Sequence, residues 1–514
     1  MGSKSSSKQM SINLIASIIS FAVNVGINFF LTPYLVGSLG NEAYGFIGLA
    51  NNFVQYANII TVALNSIAGR FISIEYHQGN VKKASKIFSS VLVADLIIAG
   101  VLLVVSALVT LSVDSFLEIP AGLVDSVKIT FAITFLTFVV SVITAIFTTA
   151  AFVKNRLEIN SIRDIISNLL KIAIVVGLFA IFPPKLYFLA LATLACSVFL
   201  MVANVSVKKK ILPEVKINIR DFSFGIVKTL LLAGVWLSFS QLCNVLMTGL
   251  DLLICNLAIG PAIMGILSIS RTVPMCLGNL ITTIGNVFTP HFTIRYAKND
   301  IDGLVEETKF SGKLMNYIMV VPIAGFIVFG NEFYTLWQPT KTVEEIQMIQ
   351  ILSVLTCVTY LTSCITQCHM MLFTVCNKLQ LPVLVNFFIG AGSVVVVLLT
   401  LNFGNLGDAG VYVIAGVSSV LLSIRSITFV PLYSAHILGK KKSTFMMPVL
   451  RGVATFIILS VLFALARPIL VLNSWTGFLI SCVVVGVLGY IITLPLLFNK
   501  KELKKLTSKF IKKY

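Results

Sequence analysis

The sequence predicts an all-α, polytopic membrane protein, and three observations carry that prediction. Of the 514 residues, 57% are hydrophobic and only 11% charged, with a mean hydropathy of +0.98, whereas a soluble domain carries about 25% charged residues. The apolar residues gather into fourteen runs, each long enough for the roughly 20 residues that cross a hydrocarbon layer as a helix. Basic residues fall in the short gaps between runs, so the net charge of +18 reads as membrane topology. A nucleic-acid partner is therefore not expected.

In chain order the spans lie near 12–37, 43–69, 87–112, 124–152, 166–183, 186–207, 229–257, 262–288, 314–330, 348–375, 383–402, 411–435, 446–468 and 476–497. The start, MGSKSSSKQ, is polar and basic and leads straight into the first span, so no cleavable signal peptide is expected. Very short turns join spans 1 and 2 and spans 7 and 8. Loops on the far side hold only Lys185, Lys341 and Arg467, while Lys128, Arg271 and Arg425 lie in or near spans. All other Lys and Arg sit on the side of the termini, which places both termini in the cytoplasm. The tail from Lys500 to Lys513 reads as a basic amphipathic helix on anionic membrane lipid, or as a topology anchor.

A shift of 220 residues superposes Asn24-Val25 on Asn244-Val245, Gly40 on Gly260, Gly45 on Gly265 and Tyr76 on Tyr296. Ser73-Ile74 falls on Thr293-Ile294 in the same alignment, without a gap. Two pseudo-symmetric six-helix bundles, 1–207 and 229–435, are therefore expected, joined by a cytoplasmic linker over 208–228. Two additional helices over 446–497 and a basic tail over 498–514 complete the chain. An even number of helices per copy relates the copies by an axis along the membrane normal.

The hairpin from Lys228 to Pro290 turns at Ile259-Gly260-Pro261, with Asp251 nine residues before Gly260 and Arg271 eleven residues after it. At about 1.5 Å of rise per residue both lie roughly 14–17 Å below the turn, near the middle of the membrane. A charge there costs on the order of 2.5–3.5 kcal/mol on insertion scales and normally faces protein or water. Pro274 follows Arg271 closely and can kink its helix. A guanidinium suits phosphate because its planar fork binds two oxygens at once; the alternative is a buried pair with Asp251.

Polar residues three and four apart share a helix face. Span 4 carries Thr130, Thr134, Thr137, Ser141, Thr144 and Thr148; span 10 carries Thr356, Tyr360, Ser363, Gln367 and Thr374. Spans 1, 2, 7 and 8 add Asn24 and Asn28; Asn51, Gln55, Asn58 and Asn65; Gln241, Asn244, Thr248 and Asp251; and Ser268, Arg271 or Thr272, Met275, Asn279, Thr282 and Asn286. Such stripes either join helices through hydrogen bonds or line a polar cleft between the bundles. Arg425 in span 12 is the next buried base, unless it snorkels to the cytoplasmic side. Asp95 and Asp251 are candidates for carrying a coupling H⁺ or Na⁺, with a pair between Asp95 and Lys171 as the alternative for the former. Arg70, Lys171 and the run from Lys154 to Arg156 are placed at the cytoplasmic mouth, Lys171 by snorkelling.

Nine cysteines scatter through apolar runs and read as packing residues, not a disulfide framework. Cys364, Cys368 and His369 lack an evident fourth ligand and read as core rather than as a metal site. No GxxxxGK[ST] loop, nucleophile elbow or HExxH motif occurs, so neither ATP hydrolysis nor another enzyme activity is expected, and no cofactor.

The run from Pro33 to Gly45 (PYLVGSLGNEAYG), followed by the asparagine-rich second span and Gly69-Arg70-Phe71, resembles the Wzx-type polysaccharide flippases. That family belongs to the larger group containing MATE transporters and lipid II flippases. The resemblance implies a V-shaped pair of six-helix bundles around a cationic cavity. It implies a substrate of sugar repeat units linked by pyrophosphate to undecaprenol, flipped by ion-coupled alternating access, an antiport, for O-antigen or capsule synthesis. A polysaccharide polymerase and chain-length machinery are the partners it implies. The family's cavity bases map onto Arg271 and Arg425; Asn51, Gln55, Asn58, Asn244, Tyr360 and Gln367 would meet the headgroup. The repeat partner of Arg271 is the neutral Asn51. Two other readings stand beside this one. A MATE-like exporter of cationic drugs would favour deep acids and aromatics, and a membrane-embedded glycosyltransferase or polymerase would need a large extramembrane catalytic loop.

Overall fold

The computed structural model describes residues 3–499 and residue 502. Contacts divide it into two compact units, Met1–Gly265 and Ile266–Tyr514. All fourteen expected spans are present as helices long and apolar enough to cross a membrane, and the described residues contain no strand. Many helices outrun their hydropathic spans. Apolarity ends where the helix meets water, but backbone hydrogen bonds do not. The basic helix expected over residues 500–513 lies outside the described residues, apart from Glu502.

The first unit comprises α1 (Ser3–Leu39), α2 (Asn41–His77), α3 (Val81–Phe116), α4 (Val124–Val153), α5 (Glu158–Ile181), α6 (Tyr187–Ile211), α7 (Phe224–Asn244) and α8 (Asp251–Ala258). Gly40, at φ 87°, makes the one-residue turn from α1 to α2, a left-handed backbone that glycine adopts without a Cβ penalty. Leu64, Ile72, Phe88, Ile146, Val227 and Leu230 share one buried cluster that ties α2, α3, α4 and α7 together. α7 and α8, expected in the second bundle by repeat counting, pack against α2 within this unit. Gly234 of α7 meets the backbone of Ala63, and Ser238 donates to the Ile59 carbonyl at 2.6 Å. Small residues let two backbones approach in lipid, where packing rather than hydrophobicity drives association.

The second unit comprises α9 (Pro261–Asn286, whose first turn carries the division), α10 (Thr289–Ala297), α11 (Ile301–Trp337), α12 (Val343–Val375), α13 (Gln380–Gly404), α14 (Gly410–Ile427), α15 (Phe429–Ile437), α16 (Ser443–Ala466) and α17 (Trp475–Leu497). The two additional spans belong to this unit. Phe463 of α16 stacks on Phe329 of α11 with ring centroids 6.0 Å apart, and Tyr490 of α17 donates to the Ile318 carbonyl at 3.0 Å. α12 starts on a capping box formed by Thr342 and Glu345.

All nine cysteines are free. Among the described residues no group of three His, Cys, Asp or Glu side chains is placed to hold a metal ion. His369 is buried edge-on against Phe445, and the Cys364 thiol donates to the Met315 carbonyl.

Candidate functional site: polar cavities and buried charges

α4 supplies the first feature. Its hydroxyls at Thr130, Thr137, Ser141, Thr144 and Thr148 all donate to carbonyls of their own helix. Their lone pairs therefore remain available, and the stripe lines two cavities inside the first unit. One, of about 190 Å³, is walled by Asn51, Thr130, Thr134, Thr137, Ser141 and Lys171, among others. The other, of about 350 Å³, is walled by Ser141, Thr144, Thr148, Asn160, Arg163, Asp164 and Asn204. Ser141 touches both.

Lys171 thus stands in the wall of an inner cavity. It is thirteen residues from the start of α5 and ten from its end, about 15–20 Å from either at the helical rise. Arg163 was not singled out from sequence, because it follows a basic loop closely. It is buried, donates to Asn160, Asn204 and the Ile159 carbonyl, and shares its cavity with Asp164. The signal was there in the spacing: Asn160, Arg163, Ser167 and Lys171 follow one another at intervals of three and four along α5.

Asp95 is fully buried in α3, where Asn65 of α2 donates to its Oδ1 at 3.1 Å. No ion pair joins it to Lys171. Asp251 is also buried and begins α8, which Leu250 alone separates from a five-residue π-helical segment, Val245–Gly249. That segment releases the Gly249 carbonyl from the regular ladder, and Asn52 and Tyr56 of α2 donate to it at 2.9 and 2.7 Å. Single-turn π segments inside helices occur frequently at functional sites.

The remaining amides expected at the site lie on uncovered faces. Asn24, Asn51, Gln55 and Asn244 are exposed, as are Thr248, Asn279, Thr282 and Asn286; Asn58 is half-buried and accepts from Thr61. At the ends of the first unit several charges are already paired. Lys154 donates to Tyr76 at 2.5 Å, Arg156 pairs with Glu158 at 2.9 Å, and Lys128 pairs with Asp114 at 2.7 Å. Arg70 is exposed.

In the second unit the α12 stripe packs on α9. Tyr360 lies against Gly278 and Gln367 against Gly285, both pairs seven residues apart on their helices. Arg271, half-buried in α9, lies within electrostatic reach of the Tyr360 hydroxyl. The structure therefore brings Arg271 and Tyr360 together. Arg425 does not snorkel: it is 8% exposed, donates to Asn386 of α13 and contacts the Met370 sulfur at 3.7 Å, while its Nε finds no partner among the described residues.

Comparison with known proteins gives a consistent picture. The model of the family described as "Polysaccharide biosynthesis protein" matches residues 11–294. The chain is 28% identical over 509 residues to a Bacillus subtilis (strain 168) protein described as "Uncharacterized membrane protein EpsK", covering 98% of each. Among solved structures, a lipid II flippase in an inward closed conformation aligns with TM-score 0.66 at 13% identity, over 93% of this chain and 97% of its own. An inward-facing multidrug resistance MATE transporter of the MOP superfamily aligns with TM-score 0.65 at 15% identity, over 84% and 98%. A Pyrococcus furiosus MOP transporter, described as having a binding pocket of reversed polarity, aligns with TM-score 0.59 at 15% identity, over 84% and 96%. At such identities the structural likeness establishes the fold alone.

Proposed function

The chain belongs to the polysaccharide biosynthesis protein family and its described residues carry fourteen helices able to cross a membrane, and from that premise we propose that it is a transporter and not an enzyme, one that flips lipid-linked oligosaccharides. The cargo in this reading is a sugar repeat unit joined through pyrophosphate to undecaprenol. It crosses the cytoplasmic membrane by alternating access, coupled to an ion gradient, to supply surface polysaccharide such as O-antigen or capsule. Both termini are cytoplasmic in this reading, and a polymerase receives the product.

The observation that carries the proposal is the set of amides left exposed at membrane depth. Asn24, Asn51, Gln55, Asn244 and Asn279 are all exposed within apolar helices. Hydrocarbon offers them no hydrogen bonds and would penalise each. In the first unit such amides match the hydroxyls of a hydrated sugar headgroup, and in the second unit Arg271 and Arg425 suit phosphate oxygens. A lipid tail can stay in the bilayer throughout. Cation export would be served less well, because each unit carries bases within its spans, Arg163 and Lys171 in the first and Arg271 and Arg425 in the second.

The test is transport by the purified chain in proteoliposomes carrying a fluorescent undecaprenyl-pyrophosphate-linked oligosaccharide. Exposure of the label on the opposite leaflet, faster than in protein-free vesicles, is expected. No acceleration, together with efflux of a cationic dye, would replace this reading by the exporter.

A further inference from the structure

At the end of the second unit where α17 finishes, four helices close around a small basic pocket. Lys309 and Lys313 of α11, His369 of α12 and Arg451 of α16 line it, together with Asn316 and Leu497. Lys313 immediately precedes the apolar run 314–330, Arg451 lies near the start of 446–468, and Leu497 closes the last run. The pocket is therefore level with the border between hydrocarbon and lipid headgroups.

No carboxylate belongs to its wall. Glu502 reaches it from beyond α17, and its two oxygens accept from Lys313 Nζ at 2.7 and 2.9 Å. Burial pushes the Glu502 carboxyl up, but Lys313, the Asn499 backbone N–H and Arg451 outweigh it and hold the group below the usual carboxylate range. One acid thus faces three bases, and among the described residues Lys309 and Arg451 have no ion pair. His369 gives a second, independent sign. It is 2% exposed, and neither ring nitrogen has a hydrogen-bond partner among the described residues. A neutral imidazole always carries one N–H, and an unmet buried donor costs free energy. Three cations and an unmet N–H on one wall complement an acceptor-only group, an oxyanion.

The cavity beside Lys313 measures only about 10 Å³, which is space for a single water-sized group. A phosphate enters only by taking the place of the Glu502 carboxylate. That carboxylate can leave without unpacking the chain before it, because Phe498 is the anchor. Phe498 is buried against Phe310 and Tyr317, with ring centroids 6.1 and 6.0 Å away. We propose that this pocket binds the phosphate of an anionic lipid headgroup, and that Glu502 competes for it from within the chain. Such a site does not depend on which cargo the chain moves; the surrounding lipid sets whether Glu502 is docked.

The experiment is equilibrium binding of short-chain fluorescent phosphatidylglycerol or phosphatidylcholine to the purified full chain in detergent, with and without inorganic phosphate. Wild type should bind phosphatidylglycerol more tightly than phosphatidylcholine. Glu502→Gln should tighten phosphatidylglycerol binding roughly two- to fivefold, the scale of a partly exposed ion pair. Lys313→Gln should weaken it about tenfold. Glu306→Gln, which removes an exposed acid from the same helix, should leave it unchanged. Equal binding of the two lipids, no tightening in Glu502→Gln, or the same tightening in Glu306→Gln would overturn the proposal. Displacement of the lipid by inorganic phosphate would show that a free phosphate also fills the site, and its failure would assign the site to lipid. Should Lys313→Gln not give a monodisperse protein, the pair Glu502→Gln and Glu306→Gln decides alone.

Discussion

Asn65 of α2 donates its side-chain amide to Asp95 of α3 at 3.1 Å, and the second carboxylate oxygen of Asp95 is buried without a partner among the described residues. A carboxyl in that setting is poorly solvated as an anion and is a reasonable site for reversible cation or proton binding. Replacing Asp95 with Asn keeps the shape and removes the titration. Flipping in vesicles should then lose its dependence on an imposed ion gradient while the basal rate persists. Dependence equal to wild type would dismiss Asp95 as the coupling group, leaving Asp251 to be tested in the same way.

Arg271 should matter through geometry as well as charge. A hydrogen bond to a charged group contributes about 1.5–3 kcal/mol, which corresponds to roughly a ten- to hundredfold change. Arg271→Ala should reduce flipping by about that factor while the protein stays in the membrane at normal level. Arg271→Lys should recover part of the rate if two phosphate oxygens are held at once. Full recovery would show that charge alone suffices.

The contact of Tyr360 with Gly278 leaves no room for a Cβ on the glycine. Gly278→Ala should therefore lower stability by about 1–3 kcal/mol through overpacking, read as a lower Tm in detergent. Adding Tyr360→Leu should restore part of the loss. A Tm unchanged in the single variant would mean that α9 and α12 do not meet at this register.

At the entry to α11, Asp300 accepts from the Gly303 backbone N–H at 2.9 Å and pairs with Arg295. The Arg295 guanidinium, together with that backbone donor, holds the Asp300 carboxyl below the usual carboxylate range. A depressed folded-state value means that the cap stabilises fully above the ordinary carboxylate range and fades as pH falls through the folded-state value. Protection of the Gly303 amide, its exchange rate relative to that of an unstructured amide at the same pH, should fall on acidification, and Asp300→Asn should flatten that pH dependence. An equal fall in the variant would assign the effect to another group.

The number and order of the spans were legible in the sequence because crossing hydrocarbon demands long uninterrupted apolar runs, and composition alone reveals those. The α4 stripe was legible for a related reason: residues three and four apart must share a face. Nothing in one sequence ranks the partners of that face. Repeat counting put α7 and α8 with the second half, yet Gly234 and Ser238 seat α7 on α2 in the first unit. The place of Lys171 likewise turns on which helices surround α5. Counting positions from the end of an apolar run allows a long side chain to snorkel. Only the packed neighbours Asn51, Thr134 and Thr193 show it lining a cavity instead. Periodicity is a property of one helix, and a binding site is a property of several; that is why the local faces could be read from the chain and the cavities needed the fold.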